Sequence, residues 1–294
     1  MRGGAVAGGV ERDNGRMRRF AFAGRTCVVT GAAGGIGAAL SLELARRRAV
    51  LVLIDRDAVR LSRVAGLARE GGAAAVDEHV IDLADGGDRL DLAQRVATAH
   101  GGADLLVNNA GVALAGDFAQ NEMADVEWLL EINLMAVLRM TKAFLPQLLA
   151  RPGAHIVNLS SLFGLVAPAG QVAYSTSKFA VRGFSEALRH ELAGRDVGVT
   201  VVHPGGVRTD IARSARISGP DPEGTVRRQT DLFSDRALRL PPEEAARLIV
   251  RAVQERRPRL VITREAKLGD LLARVAPARY WQIVRRARNA AEEP

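Results

Sequence analysis

The sequence predicts an α/β fold: a single doubly wound parallel sheet of about seven strands with helices on both faces. Two observations predict it. Strand-like apolar runs near residues 26, 50, 75, 104, 155, 199 and 260 alternate with helical stretches, which is the order of a parallel sheet covered on both sides. The chain has 294 residues, an ordinary size for one such domain. No internal repeat is visible beyond this alternation.

The first strand is read in Thr26-Cys27-Val28-Val29-Thr30, a β-branched run of the buried kind. Gly31, Gly34, Gly35 and Gly37 follow, with Ile36 between the last two, and then an Ala- and Leu-rich helix to Arg48. Glycines let a backbone turn sharply against a pyrophosphate, and a helix N-terminus offers free N–H groups and a positive dipole end. The spacing is Thr-Gly-x-x-x-Gly-x-Gly, through Gly31, Gly35 and Gly37; a ligand-free glycine turn is the alternative. The second run, residues 49–54, ends in Asp55. An acid there suits the hydroxyls of an adenosine ribose and repels a 2'-phosphate, which favours NAD over NADP. Arg56 is suited to stacking on adenine or meeting a 2'-phosphate, and Asp55 also fits a helix cap before residues 58–70.

The third run, 75–81, leads to Asp82 and Leu83, and the fourth, 104–107, to Asn108-Asn109-Ala110-Gly111. Asn133 lies in a helical stretch. Ser161 follows the fifth run; thirteen residues on, Tyr174 and Lys178 stand one helical turn apart, so that phenol and ammonium share a face. A cation beside a phenol favours phenolate and lowers a pKa that is ordinarily near 10, and a tyrosine then becomes a proton-transfer group. The sixth run ends at His203, before Pro204-Gly205-Gly206-Val207-Arg208-Thr209. Pro241 and Pro242 precede Glu243 and Glu244, a helix start with acids in its first turn.

Taken together, these motifs resemble the short-chain dehydrogenase/reductase (SDR) family over roughly residues 25–263, with its Rossmann-type fold. The resemblance implies an NAD(P)-dependent oxidoreductase that interconverts a secondary alcohol and a ketone by hydride transfer. It implies that Tyr174 is the general acid/base and that Lys178 binds the nicotinamide ribose and lowers the phenol pKa. Ser161 would hold the reacting oxygen, and Asn133 a water linking Lys178 to solvent. The cofactor set would be Gly31, Gly35, Ile36, Gly37, Asp55, Arg56, Asp82, Leu83, Asn109, Ala110, Gly111, Tyr174, Lys178, Pro204, Gly205, Val207 and Thr209. NAD is the preferred cofactor, with NADP as the second choice. A homodimer or homotetramer is also implied. A catalytically idle NAD(P)-binding regulator is one rival reading, against which intact Ser161, Tyr174 and Lys178 argue; a membrane-surface interaction protein, resting on the C-terminal tail alone, is the other.

Composition narrows the classes. A single cysteine excludes an intramolecular disulfide, and Cys27, inside a strand, reads as an inert thiol. Five histidines show no ligand spacing, so no metal site is predicted. No spanning helix or signal peptide is legible, which fits the cytoplasm. Residues 1–20, rich in Gly and Arg, read as a disordered extension; Met17 directly precedes the folded region and admits a later start.

The net charge of +8 is matched by residues 251–290 alone, with eleven Lys or Arg against three acids. Without a recognised motif or aromatic platform this basic tail does not argue for nucleic acid. Within residues 265–294, read as a C-terminal extension of the domain (21–264), Leu268, Leu271, Leu272 and Val275 repeat at helical spacing. Tyr280, Trp281, Ile283 and Val284 then sit among Arg279, Arg285, Arg286 and Arg288. Such a helix suits three roles: peripheral contact with an anionic membrane, a cover over the substrate mouth, or a subunit interface. Leu162, Phe163, Leu165, Val166 and a mobile lid over 211–240 are the expected pocket walls, and their apolar content points to a lipophilic alcohol or ketone.

Overall fold

The computed structural model describes residues 19–85, 89–221 and 223–285, those at 229, 233, 234, 236 and 237 by backbone alone. The expected N-terminal extension up to residue 18 and the tail from Arg286 onward, Arg288 included, lie outside the described residues. Phe20 does not belong to an extension: its ring is buried and stacks at 4.9 Å on Phe22, and its N–H bonds Gln254 O.

The order of elements is β1 (Thr26–Thr30), α1 (Gly35–Ala45), β2 (Val50–Asp55), α2 (Ala58–Glu70), β3 (Ala75–Val80), α3 (Arg89–His100) and β4 (Leu105–Asn108). There follow β5 (Leu114–Ala115), α4 (Met123–Leu130), a π-turn (Glu131–Met135), α5 (Ala136–Ala150), β6 (His155–Leu159), a 3-10 turn (Leu162–Gly164) and α6 (Val172–Glu191). The chain continues with β7 (Gly198–Pro204), β8 (Arg216–Ile217), α7 (Thr225–Ala237), α8 (Pro242–Gln254), β9 (Arg259–Ile262) and α9 (Arg264–Val275). A further helical stretch begins at 280. Seven strands form one parallel sheet in the order β3-β2-β1-β4-β6-β7-β9, as the alternation predicts. The very short β5 and β8 pair separately.

The central strands are mostly apolar because both of their faces are covered. Cys27, Val29, Leu51, Leu53, Leu105 and Val107 point into a core shared with α1 and α8, while Val28, Val52, Ile54 and Leu106 point into one shared with α3 and α5. Burial pushes the Cys27 thiol pKa well up, so it stays protonated and inert. One polar seam crosses the sheet. Asn108 and Asn158 are register partners and bond at 2.8 Å, Asn108 donates to Thr141 Oγ1 and Asn158 to Ser185 Oγ. The seam fixes how β4 and β6 end, and Asn109 and Ser161 follow from those ends.

Candidate active site

The site is assembled at the C-terminal ends of β1, β2, β4, β6 and β7, the edge where parallel sheets of this kind take their ligands. At β1 the chain turns through Gly31 (φ 64°) and Gly35 (φ 53°). A Cβ on Gly37 would lie 2.0 Å from Gly31 O, and one on Gly31 would lie 2.8 Å from Ala110 Cα. Gly31 and Gly37 therefore admit no side chain. Asn109 clamps it, donating to Thr30 O and Gly31 O, while Thr30 Oγ1 accepts the N–H groups of Asn109 and Ala110. Thr30 escaped the sequence reading; its place as the last residue of β1, directly before Gly31, was the available signal. The Asn109 amide nitrogen is committed to the turn.

The N-cap of α1 is Gly34, which supplies no side-chain hydrogen bond. The first N–H groups of this helix are thus left to an anion. Asp55 accepts Ala33 N–H at 3.0 Å on one oxygen and Asp57 N–H at 3.0 Å on the other. It is not the cap of α2, because Asp57 does that for Arg60 N. Each Asp55 oxygen keeps acceptor capacity toward hydroxyls beside the glycine turn. Arg56 leans outward to Asp82 at 3.8 Å, and Asp82 also accepts Ala84 N–H. Leu83 is buried against the core with only its carbonyl engaged, by Arg89. Thr209 stands over Gly35, and Val207 is buried beside Leu240. A small cradle bounded by glycines, a bare helix N-terminus and a carboxylate twenty residues on fits a dinucleotide.

Ser161 follows β6 by two residues and caps the 3-10 turn, its Oγ accepting Phe163 N–H at 3.1 Å. The Tyr174 phenol, from the first turn of α6, hydrogen-bonds Ser161. Lys178 Nζ lies 5.6 Å from the Tyr174 ring centroid and donates to Leu159 O. The three side chains expected together are therefore together. Ser160 and Ser177, from the same segments, lock the frame: Ser160 Oγ donates to Lys178 O and Ser177 Oγ to Tyr174 O. Gly164 is required there, since a Cβ would meet Ser160 Oγ at 2.2 Å.

Asn133 sits in the π-turn and is fully buried. Its amide pairs with both backbone groups of Val112, at 2.8 and 3.0 Å, and donates to Ser177 Oγ at 3.2 Å. The side chain thus ties Val112 to the Tyr174 turn and spends both of its amide protons on that tie.

Electrostatics departs from expectation. Burial pushes the Tyr174 phenol up, with the Ser161 hydrogen bond opposing, and burial lowers Lys178 to about 8. The side chains alone do not produce the lowered phenol pKa that the spacing predicts, because desolvation outweighs the Ser161 hydrogen bond that opposes it. His203, at the end of β7, is fully buried and donates from Nδ1 to Ser161 O at 3.1 Å; burial lowers it to about 4. Among the described residues no group of His, Cys, Asp or Glu is arranged to hold a metal.

The walls differ in part from expectation. Phe163 meets the Tyr174 ring edge-on at 6.1 Å, and Leu162 and Val166 face Gly269 of α9, but Leu165 is buried in the body. The first part of the expected lid is fastened. β8 pairs with β5, and Arg216 stacks on Trp128 at 3.7 Å while bonding Asp125.

The architecture and its ligand edge are those of a dinucleotide-dependent oxidoreductase. Residues 25–218 match the short chain dehydrogenase family model. An oxidoreductase of Mycobacterium tuberculosis (strain H37Rv), SadH, is 42% identical over 266 residues, which is 90% of this chain and 95% of SadH. A short-chain dehydrogenase/reductase from Burkholderia phymatum in complex with NAD superposes with a TM-score of 0.80 at 30% identity, over 87% of this chain and 94% of that one. A metagenomic short-chain oxidoreductase in complex with NADP gives 0.67 at 29%, over 83% and 98%. The chain belongs to the short-chain dehydrogenase family and is an NAD(P)-dependent oxidoreductase acting on a small-molecule substrate.

Proposed function

We propose that the protein interconverts a lipophilic secondary alcohol and its ketone, with Tyr174 as general acid/base and NAD as the preferred cofactor. The observation that carries this reading is the contact of Ser161 with the Tyr174 phenol, with Lys178 Nζ behind the ring. The nicotinamide, when bound, supplies or accepts the hydride. Ser161 Oγ accepts Phe163 N–H, so its own proton is available to a carbonyl oxygen at the phenol. Tyr174 gives its proton to that oxygen in reduction and takes one from the hydroxyl in oxidation. Lys178 holds the ribose hydroxyls, and its charge works together with that of the oxidised cofactor to bring the phenol down from the raised value that burial imposes.

The cofactor preference rests on Asp55, fixed by two backbone N–H groups where a 2'-phosphate would have to sit. Charge-assisted hydrogen bonds of this kind contribute about 1.5–3 kcal/mol, or roughly ten- to a hundredfold in affinity. Asp55→Asn is expected to narrow the gap in kcat/KM between NAD and NADP. A wild-type enzyme that works better with NADP would overturn the preference. The function itself is tested by screening purified protein against alcohols and ketones of graded hydrophobicity with both cofactors, followed at the nicotinamide absorbance. Binding of NADH without turnover of any ketone would assign the chain to the regulator class instead.

A further inference from the structure

α9 has two faces, and the body of the protein uses one. With about 100° between successive residues, Ala266, Gly269, Asp270 and Ala273 share the inner side. Ala266 is fully buried, Gly269 lies against Leu162 and Val166, and Asp270 takes the Arg259 guanidinium through both oxygens. Leu268, Leu271 and Val275 lie on the opposite side and are 58%, 56% and 74% exposed; Ile283, in the next helical stretch, is 43% exposed. Lys267 and Arg274 flank the stripe, Arg264 begins it, and Arg279 and Arg285 continue the positive charge, all of them exposed. Asp270 is neutralised by Arg259 and Arg274, which leaves Glu265 as the one exposed acid on the helix.

We propose that this outer face of α9 docks the protein on an anionic lipid surface. Exposed leucines edged by cations match the boundary between headgroups and acyl chains, and no described helix is long and apolar enough to cross a membrane. A second copy of the chain fits poorly. An antiparallel two-fold contact would set Lys267 and Arg274 of each copy against the like charges of the other, and the four exposed apolar side chains are few for the roughly 1,000 Å² of a stable interface. The inner face of the helix borders Leu162 and Val166, next to Ser161, so docking would bring the substrate mouth to the lipid. This last point rests on the proposed lipophilic substrate. The docking itself does not.

Full-length protein is sedimented with vesicles of phosphatidylcholine alone and of phosphatidylcholine mixed with phosphatidylglycerol. The expected result is binding to the mixed vesicles only, reversed by high salt. The double variant Leu271→Asp, Val275→Asp should weaken binding by more than about tenfold, with its thermal midpoint and its turnover of a small soluble ketone unchanged. Lys267→Glu in an otherwise intact chain should weaken it in the same direction. Absence of wild-type binding, equal binding to neutral vesicles, or full binding by the double variant would overturn the proposal. So would a wild-type dimer that the double variant dissociates in the absence of any vesicle binding. Vesicle binding by a protein that reduces no ketone would uphold the docking face and refute the reading of the active site.

Discussion

Ser161 is held from several directions. Its carbonyl accepts Gly164 N–H and His203 Nδ1–H, and its hydroxyl sits between Phe163 N–H and the Tyr174 phenol. Because a carbonyl only accepts, His203 must carry its proton on Nδ1, and Nε2 is left buried without a partner. We therefore expect His203→Leu to lower kcat by about tenfold through a misplaced Ser161 while NADH affinity stays as it was. Asn, whose amide nitrogen can stand where Nδ1 stood, should restore most of the loss; equal damage from both would reduce His203 to a packing residue. Tyr174→Phe removes the phenol and no ribose contact. Its turnover should fall by about 10²- to 10⁴-fold with cofactor titration unchanged, and a variant that keeps most of the wild-type kcat would refute the assigned role.

α9 is more than an appendage to a core that is complete at residue 264. Arg259, in the last strand, is mostly buried and meets Asp270 at 2.9 and 2.6 Å, so removing the helix leaves a guanidinium without its carboxylate. Asp270→Ala is expected to cost about 2 kcal/mol, read as a lower urea midpoint, and deletion from Glu265 should cost more. Equal midpoints would show that the pair is solvent-screened. Most strands of the sheet were legible as short apolar runs; β3, with Asp77, Glu78 and His79, was legible from its place in the alternation. The 3-10 turn, the π-turn and the two-residue β5 and β8 were not, since they contain too few residues to show a period. At the site, the residue types that do chemistry could be read in line. The positions of Thr30, Ser177 and His203 could not, because their partners Ala110, Asn133 and Ser161 lie 42 to 80 residues away.

The whole molecule carries two buried neutral histidines. Burial lowers His155 to about 3 and His203 to about 4, from 6.5 in the unfolded chain. Below pH 6.5 the unfolded state binds protons that the folded state refuses, so stability must fall as pH falls from 6.5 toward 4 and then 3. The slope is up to about 1.4 kcal/mol per pH unit for each histidine. Above 6.5 both states are neutral at these sites and the effect vanishes. Urea midpoints should therefore drop already between pH 6.5 and 5, before carboxylates such as Asp270, itself held low by Arg259, begin to titrate. His155→Gln should flatten that drop; an unchanged slope would locate the proton uptake elsewhere. The strand order has a consequence for synthesis. From β1 outward the sheet adds β4, β6, β7 and β9 on one side in the order in which they leave the ribosome. Each new strand serves for a time as an open edge. Among the strands added after β1, the longest such interval falls to β7, whose Val201, Val202 and His203 wait more than fifty residues for β9 to cover them. A ribosome that stalls between β7 and β9 leaves that row of unpaired amides exposed, whereas the finished edge is a four-residue strand that begins with an arginine.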